Sequence, residues 1–313
     1  MSEQKIYDIA IVGGGAGGCA AAVYAMRAMM DTVIFERAVM GGSIMNSNTV
    51  ENWPGIKSTT GAEFAMLLSE HVAEYKPAII SSRVKEISPG EKYHTLVTED
   101  GNETKAHAVI LATGGSPKFL NASGEFPYVG KGVSYCATCD GFFFRDKTVT
   151  VIGGGDTAAE EALYLAKMCA KVYMIHRRDQ LRASKILQQH VLENPKIEMV
   201  WDTVVEEIKG DGNEVKSIAV KNVKTDVTKE FLTDGVFIFV GFSPNNDIVP
   251  DGIEMNHEGY VMTDYKCATA LCGIFAIGDL KHNFARQLVI AAGDGATAAL
   301  AATAYVENLK TTF

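Results

Sequence analysis

One strand–turn–helix–strand pattern occurs twice in this chain, offset by 140 residues (Ile9 to Val149). The first copy, IAIVGGGAGGCAAAVYAMRAMMDTVIFER, runs from Ile9 to Arg37, and the second, VTVIGGGDTAAEEALYLAKMCAKVYMIHRR, from Val149 to Arg178. The turns read Gly13-x-Gly15-x-x-Gly18 and Gly153-x-Gly155-x-x-Ala158. Such glycines permit a tight turn and bring backbone close to a pyrophosphate seated over the helix N-terminus. Alanine in the third place is an accepted variant that widens the helix–strand contact slightly. The copies differ where the second strand ends. The first has Glu36; the equivalent position in the second is His176, followed by Arg177 and Arg178, with Arg182 four residues beyond Arg178. A carboxylate there accepts from ribose hydroxyls, whereas a cationic cluster suits a 2′-phosphate, which arginine grips in bidentate fashion. Alone, the basic run would read as a solvated surface turn; at the end of a fingerprint unit the phosphate reading prevails. The chain therefore reads as a holder of two different dinucleotides.

A second echo sets the domain plan. AVILATGGSP (Ala108–Pro117) and GVFIFVGFSP (Gly235–Pro244) are both apolar strands ending in Gly-x-Ser-Pro, where proline stops the ladder. We expect an α/β protein with two Rossmann-like three-layer domains, residues 118–245 forming one that is inserted into another built from 1–117 and 246–313. Alternating segments at 197–209 and 214–223 belong to the insert, and Gly273–Asp279 is a short strand of the outer domain. A helix from about Arg286 follows it. At 313 residues and 47% hydrophobic, the chain can bury two cores. Its net charge of −9 argues against a nucleic-acid partner. Only polar residues precede a first strand starting by about Ile6, which predicts a cytoplasmic chain. From Gln287 to Val306 a single charge, Asp294, occurs, but the stretch is rich in Ala and Gly, so a buried amphipathic helix is expected rather than a membrane span.

Six cysteines occur, at 19, 136, 139, 169, 267 and 272. Cys19 and Cys169 fall inside the two predicted helices and read as small buried hydrophobes. Cys136-Ala-Thr-Cys139, followed by Asp140, admits three readings. A redox pair needs an electron source, which two dinucleotide sites supply. Structural zinc needs four ligands, and Cys267 and Cys272 offer two more at a wider spacing. Inert packing is the third. We rank redox first, because an adjacent carboxylic acid can protonate a departing thiolate.

With these residues in place the chain resembles the low-molecular-weight thioredoxin reductases, FAD- and NADPH-dependent pyridine nucleotide-disulfide oxidoreductases. The similarity covers nearly the whole length and rests on CATCDG (136–141), GGGDTAAEEA (153–162), HRRDQLRA (176–183), VENWPG (50–55) and GIFAIGD (273–279) followed by Arg286-Gln287. The resemblance implies FAD on Gly13, Gly15, Ala16 and Gly18, with the adenosine ribose at Glu36. Gly42, Ser43, Asn52, Val84, Ala112, Thr113, Gly114, Gly278, Asp279, Arg286, Gln287 and Leu288 match further flavin-site positions. It implies NADPH on Gly153, Gly155, Asp156, Thr157 and Ala158, with the 2′-phosphate on the cluster His176, Arg177, Arg178 and Arg182. It gives Cys139 the flavin-facing role, Cys136 the exchange role and Asp140 the role of acid, with no metal. Hydride would pass from NADPH to FAD, electrons from FAD to the disulfide, and from the dithiol to thioredoxin or a thioredoxin-like protein, in a homodimer without membrane or nucleic-acid partners. The insert would rotate about linkers near Gly114–Pro117 and Gly241–Asn245. Departures are Gly-Gly-Gly-Ala-Gly-Gly in the first turn, Ser43 where many members carry glutamine, and Cys272 where proline is common. Two other readings stay open: a same-fold enzyme that oxidises dithiols or draws on ferredoxin, and a zinc-stabilised nucleotide-binding module.

Overall fold

The computed structural model describes residues 5–46, 50 and 52–312, apart from the side chains of Asn46, Cys139 and Thr312. Glu51 of the 50–55 motif therefore lies outside the described residues.

In chain order, β1 (Ile6–Val12), α1 (Ala16–Arg27) and β2 (Thr32–Phe35) form the first repeat. Next come α2 (Gly61–Glu74), β3 (Ala78–Ile80), β4 (Val84–Ser88), β5 (His94–Thr98) and β6 (Glu103–Leu111). After β7 (Gly115–Pro117) and β8 (Val133–Ser134), α3 spans Ala137–Asp140. The second repeat is β9 (Thr148–Gly153), α4 (Asp156–Ala166) and β10 (Lys171–Ile175). Then follow α5 (Lys185–Glu193), β11 (Ile197–Val200), β12 (Thr203–Gly210), β13 (Val215–Asn222), β14 (Thr228–Leu232) and β15 (Gly235–Phe239). β16 (Phe242–Pro244), β17 (Ile274–Ala276) and α6 (Leu288–Thr312) close the chain.

Two compact units result, 1–116 with 243–313, and 117–242. The first contains a sheet ordered β3-β2-β1-β6-β5-β4, with β17 pairing β6. The long β6 serves two neighbours. Its first half pairs antiparallel with β5, and its second half, Val109–Leu111, pairs parallel with β17. The parallel part thus runs β3-β2-β1-β6-β17. The second unit repeats that plan as β11-β10-β9-β15-β8, all parallel. Parallel strands buried on both faces favour near-continuous apolar runs, seen in β1, the second half of β6, β9 and β15.

In the outer unit, Ile9, Ile11, Ile34 and Ile110 face α1 and α6, while Ala10, Val12, Val33, Phe35 and Leu111 face a second core with Leu96, Val261 and Leu280. In the insert, Val149, Val151, Val172 and Met174 pack on α4, and Ile152, Ile175 and Val236 pack against β12 and β13 of a three-stranded antiparallel sheet with β14.

Three expectations change. The stretch 197–209 is two strands rather than one: Asp202 at φ +51° makes a corner, after which β12 leaves the parallel sheet. Cys169 lies beyond α4, which ends at Ala166, though it is fully buried as anticipated. α6 is long and apolar enough to cross a membrane by length and composition, and its small residues ring it without a strong polar face. It nevertheless buries Ala298, Ala299, Ala302 and Val306 in the core against α1. Gly295 lets the two helices touch, since a Cβ there would overlap the Gly17 carbonyl oxygen.

Candidate active site

The two glycine turns are built alike. Gly13 follows β1 and Gly153 ends β9, at φ +111° and +154°, and a Cβ on either would overlap the carbonyl oxygen of Ala112 or Phe239. Gly15 and Gly155 are the N-cap residues of α1 and α4, and neither helix start receives a side-chain cap. Both leave open space where a side chain would stand: nothing lies within 4 Å of a Cβ on Gly155, and the nearest atom to one on Gly15 is 3.9 Å away. Uncapped amides beneath open space form a cradle for an anionic group. Gly18 touches its own turn so closely that a Cβ would overlap the Gly13 carbonyl, whereas Ala158 accommodates its methyl, fully buried.

The residues just after β2 and β10 both support the middle glycine of their turn. Glu36 accepts from the Gly14 N–H through Oε2 (2.8 Å) and from the Ala38 N–H through Oε1 (2.8 Å). Each carboxyl oxygen keeps a further lone pair free to accept. His176 lies with its ring directly against Gly154 and is buried. Burial, aided by the charges of Arg182 and Arg178, lowers its pKa below the usual histidine value. His176 was expected among the cations; buried and held neutral, it is a support, and the exposed charges are Arg177, Arg178 and Arg182. Arg182 is tied to the turn by its backbone N–H, which donates to the Gly154 carbonyl (2.7 Å). Asp156 accepts from the Ser184 N–H (2.6 Å), and Thr157 is exposed beside it.

In the outer unit the other candidate residues gather at the ends of parallel strands. Gly41 donates to the Gly14 carbonyl (2.7 Å), and Gly42 lies against Gly15, with Ser43 next and exposed. Ala112 abuts Gly13, while Thr113 donates to the Asn245 carbonyl (2.7 Å) and Gly114 accepts from the Asn245 N–H (3.0 Å). Asn52 Nδ2 donates to Gln287 Oε1 (3.0 Å), joining residues 235 positions apart. Arg286 stands over the Tyr260 ring, and Leu288 opens α6. Gly278 (φ +62°) donates to Asp294 Oδ2 (3.1 Å), and Asp294 pairs with Lys281 (3.0 Å) in a mostly buried site. Burial raises the Asp279 carboxyl above its usual range, with Arg286 acting against the rise. Val84 differs from the rest: its side chain is buried in the core beside Phe35.

The cysteine segment follows β8. Cys136 is disulfide-bonded and caps α3 in extended conformation; the side chain of Cys139 lies outside the described set. Ser134 Oγ stands 2.6 Å from Asp140 Oδ2 and 3.2 Å from the Cys136 carbonyl, and accepts from the Cys136 N–H (3.1 Å). Burial raises the Asp140 carboxyl, opposed by the Ser134 hydroxyl. Glu125, fully buried, accepts from the Leu120 and Asn121 N–H groups and from Tyr135 Oη (2.8 Å). Sequence reasoning passed over Ser134, Glu125, Tyr135, Lys281 and the support role of Asp294. Only Ser134, two residues before Cys136, carries a positional hint.

The four-cysteine reading draws on Cys136, which is disulfide-bonded. A disulfide sulfur is not a thiolate ligand. Cys267 Sγ accepts from the Lys281 ammonium (3.4 Å), and among the described residues no three His, Cys, Asp or Glu side chains converge as a metal site.

The pyridine nucleotide-disulphide oxidoreductase family matches residues 7–298. The chain belongs to this family. Among these oxidoreductases, the thioredoxin reductase of Bacillus subtilis (strain 168) is 41% identical over 312 residues, which cover 100% of this chain and 98% of that one. The thioredoxin reductase of Helicobacter pylori (strain J99) is 42% identical over 308 residues, 96% of this chain and 99% of its own length. The crystal structure of thioredoxin reductase from Streptococcus pyogenes MGAS5005 superposes with a TM-score of 0.84 at 41% identity, over 97% of this chain and 99% of that one.

Proposed function

We propose that this chain is a thioredoxin-disulfide reductase that moves two electrons from NADPH, through FAD, into a Cys136–Cys139 disulfide and on to oxidised thioredoxin or a thioredoxin-like protein. The observation that carries the reading is Cys136, disulfide-bonded at the N-cap of α3, with the half-buried Asp140 carboxyl closing the same segment. The residues fit both cofactors: each repeat offers uncapped helix amides under open space, one beside a carboxylate and the other beside exposed arginines. FAD would rest on Gly13–Gly18, Glu36 and the cluster from Asn52 to Gln287; NADPH would rest on Gly153–Ala158 with its 2′-phosphate on Arg177, Arg178 and Arg182. When bound, these cofactors supply the hydride and relay the electron pair to the disulfide. The chain's own residues do the rest. Cys136 attacks the partner disulfide, Cys139 resolves the mixed disulfide, and Asp140, whose carboxyl burial shifts towards the protonated form, hands its proton to the departing sulfur. The intact arginine cluster favours NADPH over ferredoxin as the donor.

Four free thiols, Cys19, Cys169, Cys267 and Cys272, suit the reducing cytoplasm. Exposed Met66 and Leu67 on α2 and Leu300 on α6 support a homodimer.

The test is anaerobic titration of the yellow protein with NADPH, then with NADH, followed by oxidised thioredoxin. NADPH should bleach the flavin, and thioredoxin should restore the colour while gaining two thiols. On non-reducing gels, Cys139→Ser should trap thioredoxin through Cys136, and Cys136→Ser should trap little. Flavin that bleaches but passes nothing to any thioredoxin would overturn the substrate assignment, and equal trapping would overturn the cysteine roles.

A further inference from the structure

Ser134 belongs to β8 and is 5% exposed. Its hydroxyl has one hydrogen and two acceptors within reach, Asp140 Oδ2 at 2.6 Å and the Cys136 carbonyl at 3.2 Å. Its lone pair is engaged by the Cys136 N–H at 3.1 Å. The Cys136 carbonyl also accepts from the Asp140 N–H (3.2 Å). A single hydroxyl therefore ties the carboxyl of the acid to both backbone groups of the exchanging cysteine.

One hydrogen cannot serve two acceptors at once, and the charge on Asp140 decides between them. An ionised carboxylate is the stronger acceptor, so the hydroxyl then donates to Oδ2. A protonated Asp140 can itself donate to Oγ, which frees the hydroxyl hydrogen for the Cys136 carbonyl. We propose that Ser134 is a positioning residue for the dithiol exchange, its hydroxyl hydrogen turning between the Asp140 carboxylate and the Cys136 carbonyl as Asp140 gives up and regains its proton. This rests on the reading of Asp140 as the exchange acid.

The step balances as follows. The Cys139 thiolate attacks the Cys136 sulfur of the mixed disulfide, and the ring disulfide forms as the Cys136–partner bond breaks. The electron pair leaves on the partner sulfur, which takes the proton of Asp140. The new carboxylate charge then meets the Ser134 hydroxyl, so proton release is not opposed by burial alone.

Cys136 and Cys139 share the segment of Asp140. From α4, which packs on α3, Glu161 and Tyr164 face Thr138, with Glu160 and Lys167 along the same surface. Arg145 follows the 3-10 turn Gly141–Phe144. Burial raises the Asp140 carboxyl and the Ser134 hydroxyl acts against the rise.

The test is single-turnover transfer from NADPH-reduced enzyme to oxidised thioredoxin across pH, in wild type, Ser134→Ala, Ser134→Thr and Asp140→Asn. Removing a hydrogen bond to the charged form raises a carboxyl pKa, and one charge-assisted bond corresponds to about one unit. Transfer needs protonated Asp140, so the alkaline loss of rate should move up by about one pH unit in Ser134→Ala and return in Ser134→Thr. The visible spectrum and bleaching by NADPH should not change. If Ser134→Ala does not fold, Ser134→Val against Ser134→Thr makes the same comparison at equal shape. An alkaline limb lost in Asp140→Asn but unmoved in Ser134→Ala overturns the role of Ser134 alone. A limb retained in Asp140→Asn overturns Asp140 as the acid, and the proposal with it.

Discussion

At the scale of single residues, the two repeats place opposite chemistry at one position. Glu36 and His176 each brace the middle glycine of a turn, yet Glu36 keeps lone pairs for a ligand while His176 is buried and neutral. Under the proposed function, phosphate selectivity would then fall to the exposed Arg177, Arg178 and Arg182. Each charge-assisted arginine contact contributes about 1.5–3 kcal/mol, so two give a preference for NADPH over NADH of at least about a hundredfold. Replacing Arg177 and Arg178 together by alanine should erase most of that preference and leave the protein yellow. Flavin bleaching at matched low concentrations of the two nucleotides checks it. The positions of these residues were legible because a fingerprint fixes where the second strand ends. The burial of His176 was not, since it depends on the Gly154 backbone reaching the ring. Ser134 and Glu125 were illegible for a similar reason: each is one polar residue in an apolar or turn segment, with a role set by partners the fold supplies.

At the scale of elements, parallel strands announce themselves as apolar runs, so β1, β2, β9, β10 and their helices could be read in order. The antiparallel β12–β14 sheet is half-exposed and its pattern is weaker, which is why the Asp202 corner escaped notice. α6 contains a contrast that sequence hides. A Cβ on Gly295 would overlap the Gly17 carbonyl, whereas one on Gly293 meets nothing within 4 Å. Gly295→Ala should cost about 1–3 kcal/mol by forcing α6 from α1. Gly293→Ala should be neutral or gain up to about 1 kcal/mol from helix propensity. Urea midpoints of the two variants test this.

β5 carries a pH-dependent element of stability. His94 is 1% exposed, its Nε2 has no partner, and burial lowers its pKa to about 4. Above pH 6.5 the imidazole is neutral folded or unfolded and contributes no difference. As pH falls from 6.5 towards 4 the unfolded chain takes up the proton first, so stability falls by up to about 3 kcal/mol and then levels. Urea unfolding at pH 7.5 and pH 5 should show this loss in wild type, and His94→Gln should lose less.

At the scale of the molecule, the duplicated plan makes a paired experiment possible. Because Gly15 and Gly155 leave open space at ordinary negative φ, valine at either should fold without a clash inside the chain. What the side chain fills is the space above the helix amides. Gly15→Val should therefore purify folded but colourless, and Gly155→Val should purify yellow yet fail to bleach with NADPH. Absorbance alone reads the outcome, and the reverse pattern of colours would exchange the two sites. The discontinuity of the outer unit also bears on synthesis. β17 and α6, which complete the sheet edge at β6 and cover α1, lie after the entire insert in the chain. A growing chain offers residues 117–242 as a continuous segment before the outer unit has its last strand and helix. The guest can fold on the ribosome while its host waits half-built. The Gly278 turn and its Asp294 brace both lie on the late segment, so under the proposed function flavin capture would be one of the last events in the life of the nascent protein.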